Sequence, residues 1–354
     1  MNNSVNPEEM SSRLFADVIL GGRYGDEGKG KVTSELLTSG NYNYCIRFNG
    51  GSNAGGSLYF KGKKYIVHTL PVGIVTGMKS IIGPGCVVNY IKIKSELEDL
   101  RKQGITEWNL LISDRAHVVL DSHLEQERKE SKIGTTRQGI GPCYTDKYSR
   151  TGSTVRQFKS QFESIPGVKV IDLYTEFKEM ERMSETKRVG ILFQGVQGLG
   201  LDIDHGHYPF VTSSSCGISG VLTSGVPMKW IRNVYGIIKA YDTYVGLREF
   251  QDPEEKLLET IQEVGKERGN TTGRPRQCNW LDLDETKAAF FRNGITHVII
   301  NKVDILQEVN VFRYILGGKI VSFDNYSEWK ENIERELKET GVESVVFSGN
   351  PEKI

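Results

Sequence analysis

The stretch Asp17-Val-Ile-Leu-Gly-Gly-Arg-Tyr-Gly-Asp-Glu-Gly-Lys-Gly-Lys31 constrains this chain more than any other. Its β-branched run, Val18 to Leu20, reads as a buried strand that empties into a loop holding five glycines before Val32. In a parallel α/β sheet that junction is where a phosphate binds. Gly25, Gly28 and Gly30 let the backbone turn tightly and offer its N–H groups to an anion, while Lys29 and Lys31 add charge at the start of the next helix. Gly25 to Lys31, with Glu27 inside it, has the G-x-x-x-x-G-K spacing of a P-loop, but Val32 stands where that motif carries the Ser or Thr that holds magnesium. An acid, Asp26, therefore sits in a phosphate cradle, where a carboxylate is costly unless it binds a metal or takes a proton. That marks Asp26 for chemistry. The competing reading is an ordinary glycine-rich turn, which seldom combines two lysines with two acids.

A chain of 354 residues can bury a large core, and its 45 basic residues balance its 45 acidic ones. Nothing in that balance suggests whole-surface affinity for nucleic acid or an anionic membrane; anions would be bound by local clusters. Met1 to Arg13 is polar, and no apolar run is long enough to cross a bilayer, so a cytoplasmic location is expected. The five cysteines, Cys45, Cys86, Cys143, Cys216 and Cys278, are far apart and form no C-x-x-C pair. They read as reduced thiols filling space rather than a disulfide framework or zinc site.

Strand-like runs follow at 43–48, 80–82, 110–112, 189–193, 234–240, 296–300 and 345–347, with a hairpin pattern over 58–68. Helical spacing appears from Tyr90 to Gly104, over 257–266, and around Trp329, Ile333 and Leu337. The segment 157–187 is charged and helical with little signature, and reads as a peripheral insertion. Glycine-rich or irregular loops at 49–57, 134–142 and 194–198 follow strands. Strands alternating with helices, with ligand-like loops after strands, describe a central, mainly parallel sheet flanked by helices and a site along its carboxyl edge. No repeat or linker divides the chain, so one α/β domain over 1–354 is expected, with 1–14 as a flexible arm.

Three further motifs have two readings each. Asn301-Lys-Val-Asp304 after a strand has the N-K-x-D spacing with which GTP-binding proteins hold guanine, or is a polar strand-end loop. Arg274-Pro-Arg276, after Gly269-Asn-Thr-Thr-Gly273, can grip a dicarboxylate with two guanidinium groups, or is a solvated basic turn. His205 and His207 near Asp202 and Asp204 suggest a metal cluster, but without helical spacing they read as satisfied loop side chains.

Taken in order, Gly25–Lys31, Gly50–Gly55, His68–Ile74, Gly134–Lys147, Gln194–Thr212, Gly269–Asp282 and Lys302–Leu306 resemble the adenylosuccinate synthetase family. The resemblance spans most of the chain and implies a homodimeric, magnesium-dependent ligase of one α/β domain. It joins L-aspartate to a purine nucleoside monophosphate at the expense of a nucleoside triphosphate, through a 6-phosphoryl intermediate. On the same grounds Asp26 is the base at N1, Lys29 assists the transferred phosphoryl group, and Gln197 binds the purine. Asn53, Thr136 and Thr212 match the monophosphate site, to which Arg150 reaches across the dimer. Thr272, Arg274 and Arg276 match the aspartate loop, Gly25 to Lys31 with Lys302 and Asp304 the triphosphate site, and Asp26 with the Gly55 carbonyl the magnesium site.

The chain departs from the common family in the loop G-H-N-A-G-H, where Ser52 and Gly56 replace both histidines, the second being the general acid. Gln138 stands for a usual Arg, Gln194 for a usual Glu, and Pro275 interrupts the arginine run. With its short length, the chain is similar to phage enzymes of 2-aminoadenine nucleotide synthesis, which take dGMP and use ATP or dATP. Ordinary synthesis from IMP and GTP, and a decayed nucleotide-binding protein without turnover, are the alternatives. A GTPase switch is disfavoured by Val32.

Overall fold

The computed structural model describes residues 13–129, 134–252, 255–269 and 273–354. Nine strands among them form one sheet: β1 (Leu14–Gly21), β2 (Tyr44–Arg47), β3 (Lys79–Ile82), β4 (Leu110–Ser113), β5 (Val168–Ile171), β6 (Val189–Gln194), β7 (Ile231–Lys239), β8 (His297–Asn301) and β9 (Ser344–Ser348). Their order is β9-β8-β7-β1-β6-β2-β3-β4-β5, and every neighbouring pair is parallel. The chain leaves β1 for β2, works outward to β5, returns to fill the slot with β6, then crosses β1 to build β7 to β9. Strand order thus reverses around β1, and ligands of open α/β sheets bind outside the carboxyl ends at such a point.

Both faces of the sheet are buried, which explains its near-continuous apolar strands. The two-residue period sorts the side chains. Leu14, Ala16, Val18 and Leu20 of β1 join Ile191 and Phe193 of β6 in one core, whereas Phe15 and Ile19 join Leu192 of β6 and Ile237 of β7 in the other. Asp17, fully buried on β1, is matched by the Arg232 guanidinium at 2.5 and 3.0 Å and by the Tyr42 hydroxyl at 2.5 Å. A charge at that depth is tolerated only when so satisfied.

Helix α1 (Lys29–Ser39) follows the first loop, and α2 (Tyr90–Lys102) starts at an Asn89 side chain that accepts from the Lys92 N–H. Past α3 (Ile140–Ser149), α4 (Leu173–Ser184) buries Leu173, Phe177 and Met180. The expected short helix at 257–266 is α5 (Lys256–Val264). Farther on come α6 (Leu283–Asn293), α7 (Val303–Val309) and α8 (Tyr326–Lys338). In α8 the Asn325 cap and the stripe Trp329, Ile333 and Leu337, all fully buried, turn local pattern into docking. Burial of Ile333 and Leu337 contributes roughly 1.5–3 kcal/mol each.

Two expectations need correction. The segment 157–187 is no peripheral insertion: it supplies the edge strand β5 and helix α4, whose apolar stripe completes the core. Residues 1–12 of the expected flexible arm lie outside the described residues, but Leu14 is already buried in β1. The hairpin over 58–68 is present as Gly56–Phe60 paired with Lys63–Val67, turning at Lys61 and Gly62, both with positive φ. All five cysteines are free and buried, and no helix among the described residues is long and apolar enough to cross a membrane.

Candidate active site

The loops leaving β1, β2, β6, β7 and β8 surround a cavity of about 1050 Å³. That is room for more than one small ligand. Gly25 to Lys31, Asn53, Gly55, Thr136, Gln197, Thr212, Arg274, Arg276, Lys302 and Asp304 all line it. Arg150 does not; it is exposed at the C-terminal end of α3 in a left-handed conformation. Thr272 lies outside the described residues.

The first loop is folded by Glu27. Its carboxylate accepts from the Arg23 N–H at 2.7 Å, the Gly25 N–H at 3.1 Å and the Lys29 ammonium at 2.8 Å, and Lys29 also donates to the Gln197 carbonyl. Arg23 anchors the loop from below through Asp242 and Glu285. Gly28 is required twice over: its φ is +88°, and a Cβ would come within 2.8 Å of Asn301 Nδ2, which donates to the Glu27 carbonyl at 2.7 Å. Beyond it α1 begins with no side-chain cap and no acid in its first turn. Its first N–H groups and the positive end of its dipole thus point at the cavity, an arrangement that binds phosphate.

Lys31 lines the cavity, but its ammonium is turned to the C-terminal segment. Its ammonium donates to Ser348 Oγ at 2.9 Å, the Asn350 carbonyl at 2.8 Å and the Lys353 carbonyl at 3.1 Å, tying the C-terminal segment to α1. Burial pushes its pKa down to about 8.

Four cavity residues other than glycine hold left-handed φ: Asp26 (57°), Gln197 (63°) and Lys302 (66°) beyond the ends of β1, β6 and β8, and Lys266 (50°) after α5. Such strain collects where a side chain must be aimed. Gln197 Nε2 donates to Thr212 Oγ1 at 2.9 Å, joining two of the expected monophosphate ligands, and Asn53 Oδ1 accepts from the Gly51 N–H at 3.2 Å. Thr136 lies in the loop before α3, another helix start without a side-chain cap. Arg274 Nη2 donates to the Gly134 carbonyl at 3.1 Å, connecting that loop to the arginine segment.

Asp26 Oδ2 accepts from Arg276 Nε at 2.8 Å, and Arg276 Nη1 donates to Glu267 Oε2 at 2.6 Å. Glu267 also accepts from the Tyr241 hydroxyl at 2.6 Å, with the Lys239 ammonium at 3.4 Å and that of Lys302 at 4.0 Å. Burial alone would raise the Glu267 pKa, but Lys239 and Arg276 outweigh it and bring it down to about 2. Sequence reasoning missed Glu267, Lys239 and Tyr241. Lys239 carried a faint signal as a cation closing a strand at the carboxyl edge; Glu267 carried none among the charges following α5.

For magnesium the hard donors present are the Asp26 carboxylate, whose Oδ1 makes no hydrogen bond among the described residues, and the backbone of Gly55 in the same cavity wall. One acid with carbonyl oxygen suits an ion that keeps substrate phosphates among its ligands. His205 and His207 form no metal site: His207 Nε2 pairs with Glu285 at 3.1 Å, Asp202 Oδ1 accepts from the Asp204 and His205 N–H groups, and no His/Cys/Asp/Glu cluster among the described residues can hold a metal on its own. Of the serines around the missing histidines, Ser57 Oγ is buried without a partner among the described residues, and Ser52 Oγ lies 3.5 Å from Gln138 Oε1.

Comparison with known proteins agrees with this geometry. The sequence profile of the adenylosuccinate synthetase family matches residues 18–180 and 167–340. The adenylosuccinate synthetase of Fusobacterium nucleatum is 35% identical over 354 residues, covering 86% of this chain and 82% of that one. The fully ligated adenylosuccinate synthetase of Plasmodium falciparum superposes with a TM-score of 0.79 at 25% identity, over 96% of this chain and 98% of that one. The succinoaminodeoxyadenylate synthetase of cyanophage S-2L, bound to dGMP and to dATP as an energy donor, shares the fold with a TM-score of 0.68 at 22% identity, over 92% and 99%. With its P-loop-like cradle, paired arginines and all-parallel sheet, the chain belongs to the adenylosuccinate synthetase family and is a carbon–nitrogen-forming ligase of that type.

Proposed function

We propose that the chain condenses L-aspartate with the 6-oxo position of a purine nucleoside monophosphate, with dGMP as the preferred acceptor and ATP or dATP as donor. In this reading Asp26 takes the N1 proton, so that O6 attacks the γ-phosphate of a triphosphate cradled by the start of α1. Gly25, Glu27, Gly28 and Gly30 build that cradle, Lys31 contributes to it through its backbone at the start of α1 while its ammonium is held by the C-terminal segment, and Lys29 stabilises charge on the transferred phosphoryl group. The aspartate amine then attacks C6, and phosphate leaves with the former O6. Asn53, Thr136 and Thr212 hold the monophosphate and Gln197 its base. Thr272, Arg274 and Arg276 take the two aspartate carboxylates, and Lys302 and Asp304 the base of the triphosphate. Arg150, at the surface of a single domain, belongs in this reading to a homodimer and to the neighbouring monophosphate site.

Magnesium, on which the family generally depends, is held by Asp26 and the Gly55 carbonyl in this reading. It supplies positive charge against the phosphate oxygens.

The observation that carries the choice of dGMP is the space at Gly56, where the common family has its histidine. A Cβ there would meet nothing closer than the Val67 carbonyl at 3.9 Å and Val67 Cγ2 at 4.0 Å. Packing does not demand glycine, so its absence of a side chain leaves volume in the cavity wall for a 2-aminopurine. The phage neighbour bound to dGMP and dATP is in keeping with this. A second reading, IMP with GTP, is favoured by the position of Asp304 in the first turn of α7, after an N-K-x strand end.

The test is a panel crossing IMP, GMP and dGMP with ATP, dATP and GTP, scored for aspartate-dependent phosphate release. Faster use of dGMP than IMP supports the proposal; the reverse order restores ordinary adenylosuccinate synthesis.

A further inference from the structure

Glu267 draws together three separate segments with one carboxylate: Lys239 and Tyr241 at and just beyond the end of β7, Arg276 just ahead of the short strand Gln277–Trp280, and Lys302 just after β8. Its side chain is wholly buried, yet three of its partners, Lys239, Arg276 and Lys302, line the cavity. Arg276 is held twice: by Glu267 through Nη1 at 2.6 Å and by Asp26 through Nε at 2.8 Å. Backbone bonds fix the same corner, since the Arg276 N–H donates to the Glu267 carbonyl at 3.0 Å and the Gly269 N–H to the Arg274 carbonyl at 2.8 Å, closing a short hairpin beneath the arginine loop. Two carboxylates on one planar guanidinium leave it little freedom to rotate.

The geometry points to Glu267 as a positioning residue that aims Arg276 for the aspartate carboxylate and ties it to the triphosphate end through Lys302. This rests on the ligase reading given above and adds to it a residue that touches no substrate. Stability alone is a weak reason for such a group. A buried ion cluster is often no more stabilising than apolar residues of the same volume, whereas breaking it leaves Lys239, Lys302 and Arg276 repelling one another beside the cavity. With that repulsion Arg276 turns wholly onto Asp26 and away from the incoming aspartate.

The test compares wild type, Glu267→Gln and Glu267→Asp by steady-state kinetics with each substrate varied in turn. Loss of one charge-assisted contact predicts that Glu267→Gln raises KM for aspartate about tenfold or more and lowers kcat, with KM for the monophosphate within about twofold. Glu267→Asp keeps the buried charge, and with it the fold, but withdraws it from Arg276, so it falls between the two. Combining Glu267→Gln with Arg276→Lys adds little to the worse single variant. An unchanged KM for aspartate, an equal rise in all three KM values, or additive effects in the double variant would overturn the assignment. Aspartate-dependent phosphate release by the wild type reports on the ligase reading, and the ratio of variant to wild type on Glu267 alone.

Discussion

Placing a histidine at Gly56 tests whether the cavity wall sets the choice of purine. The backbone there lies outside the left-handed region, and an added Cβ finds Val67 at 3.9–4.0 Å, an ordinary van der Waals distance. Gly56→His should therefore fold, with a stability change inside about 1 kcal/mol and a favourable part from reduced freedom of the unfolded chain. The imidazole would occupy space that opens on the cavity. Filling a pocket by a group of that scale discriminates between related substrates by about 1–3 kcal/mol, roughly ten- to two-hundred-fold. The ratio of kcat/KM for dGMP to that for IMP should fall by that factor, read from competition of the two monophosphates in one reaction, with a thermal melt as the check on folding. A well-folded Gly56→His enzyme with an unchanged ratio would refute the role given to the vacant position.

Asp26→Asn keeps the size of the side chain and removes the base, so kcat should drop by about 10² to 10⁴ while calorimetry still shows monophosphate binding; turnover within tenfold of wild type would count against Asp26 as base. Lys31 should give a pH signature. Burial lowers its pKa to about 8, opposed by Glu35 and Asp304 and reinforced by Lys302. The folded chain therefore binds fewer protons than the unfolded one from pH 8 up to the usual lysine range, and this group adds stability as pH rises through that window. Over the same window the neutral amine loses a donor to the C-terminal segment, so KM for the triphosphate should climb above pH 8 in wild type and stay level in Lys31→Met. Arg150→Ala leaves the described cavity walls intact, yet mixed with Asp26→Asn chains it should recover activity, because one site of each hybrid dimer is then complete. No recovery on mixing would remove Arg150 from the neighbouring site.

Much of the sheet was legible because its strands are buried on both faces and announce themselves as short apolar runs bounded by glycine, as at Val18–Leu20 and Val189–Phe193. β5 escaped because Val168-Lys-Val-Ile171 is a four-residue edge strand set among charged helices, and edge position puts Lys169 in solvent. The cradle was readable from glycine spacing, since φ above zero at Gly25 and Gly28 is a local demand. Glu267 was not, because what distinguishes it is convergence of Lys239 and Tyr241, Arg276, and Lys302 from three separate segments, a property of topology rather than of any window of sequence. The direction of the Lys31 ammonium was hidden for the same reason: its partners lie more than three hundred residues away, at Ser348, Asn350 and Lys353.

The chemistry assigned to the cavity requires that the oxygen at C6 leave on phosphate. The direct measurement is to supply the monophosphate with ¹⁸O at position 6, together with aspartate, magnesium and the triphosphate, and to weigh the inorganic phosphate released. One ¹⁸O per phosphate is predicted, matched one for one by succinylated product. Phosphate free of label, with product still forming, would contradict attack of O6 on the γ-phosphate and with it the role of Asp26.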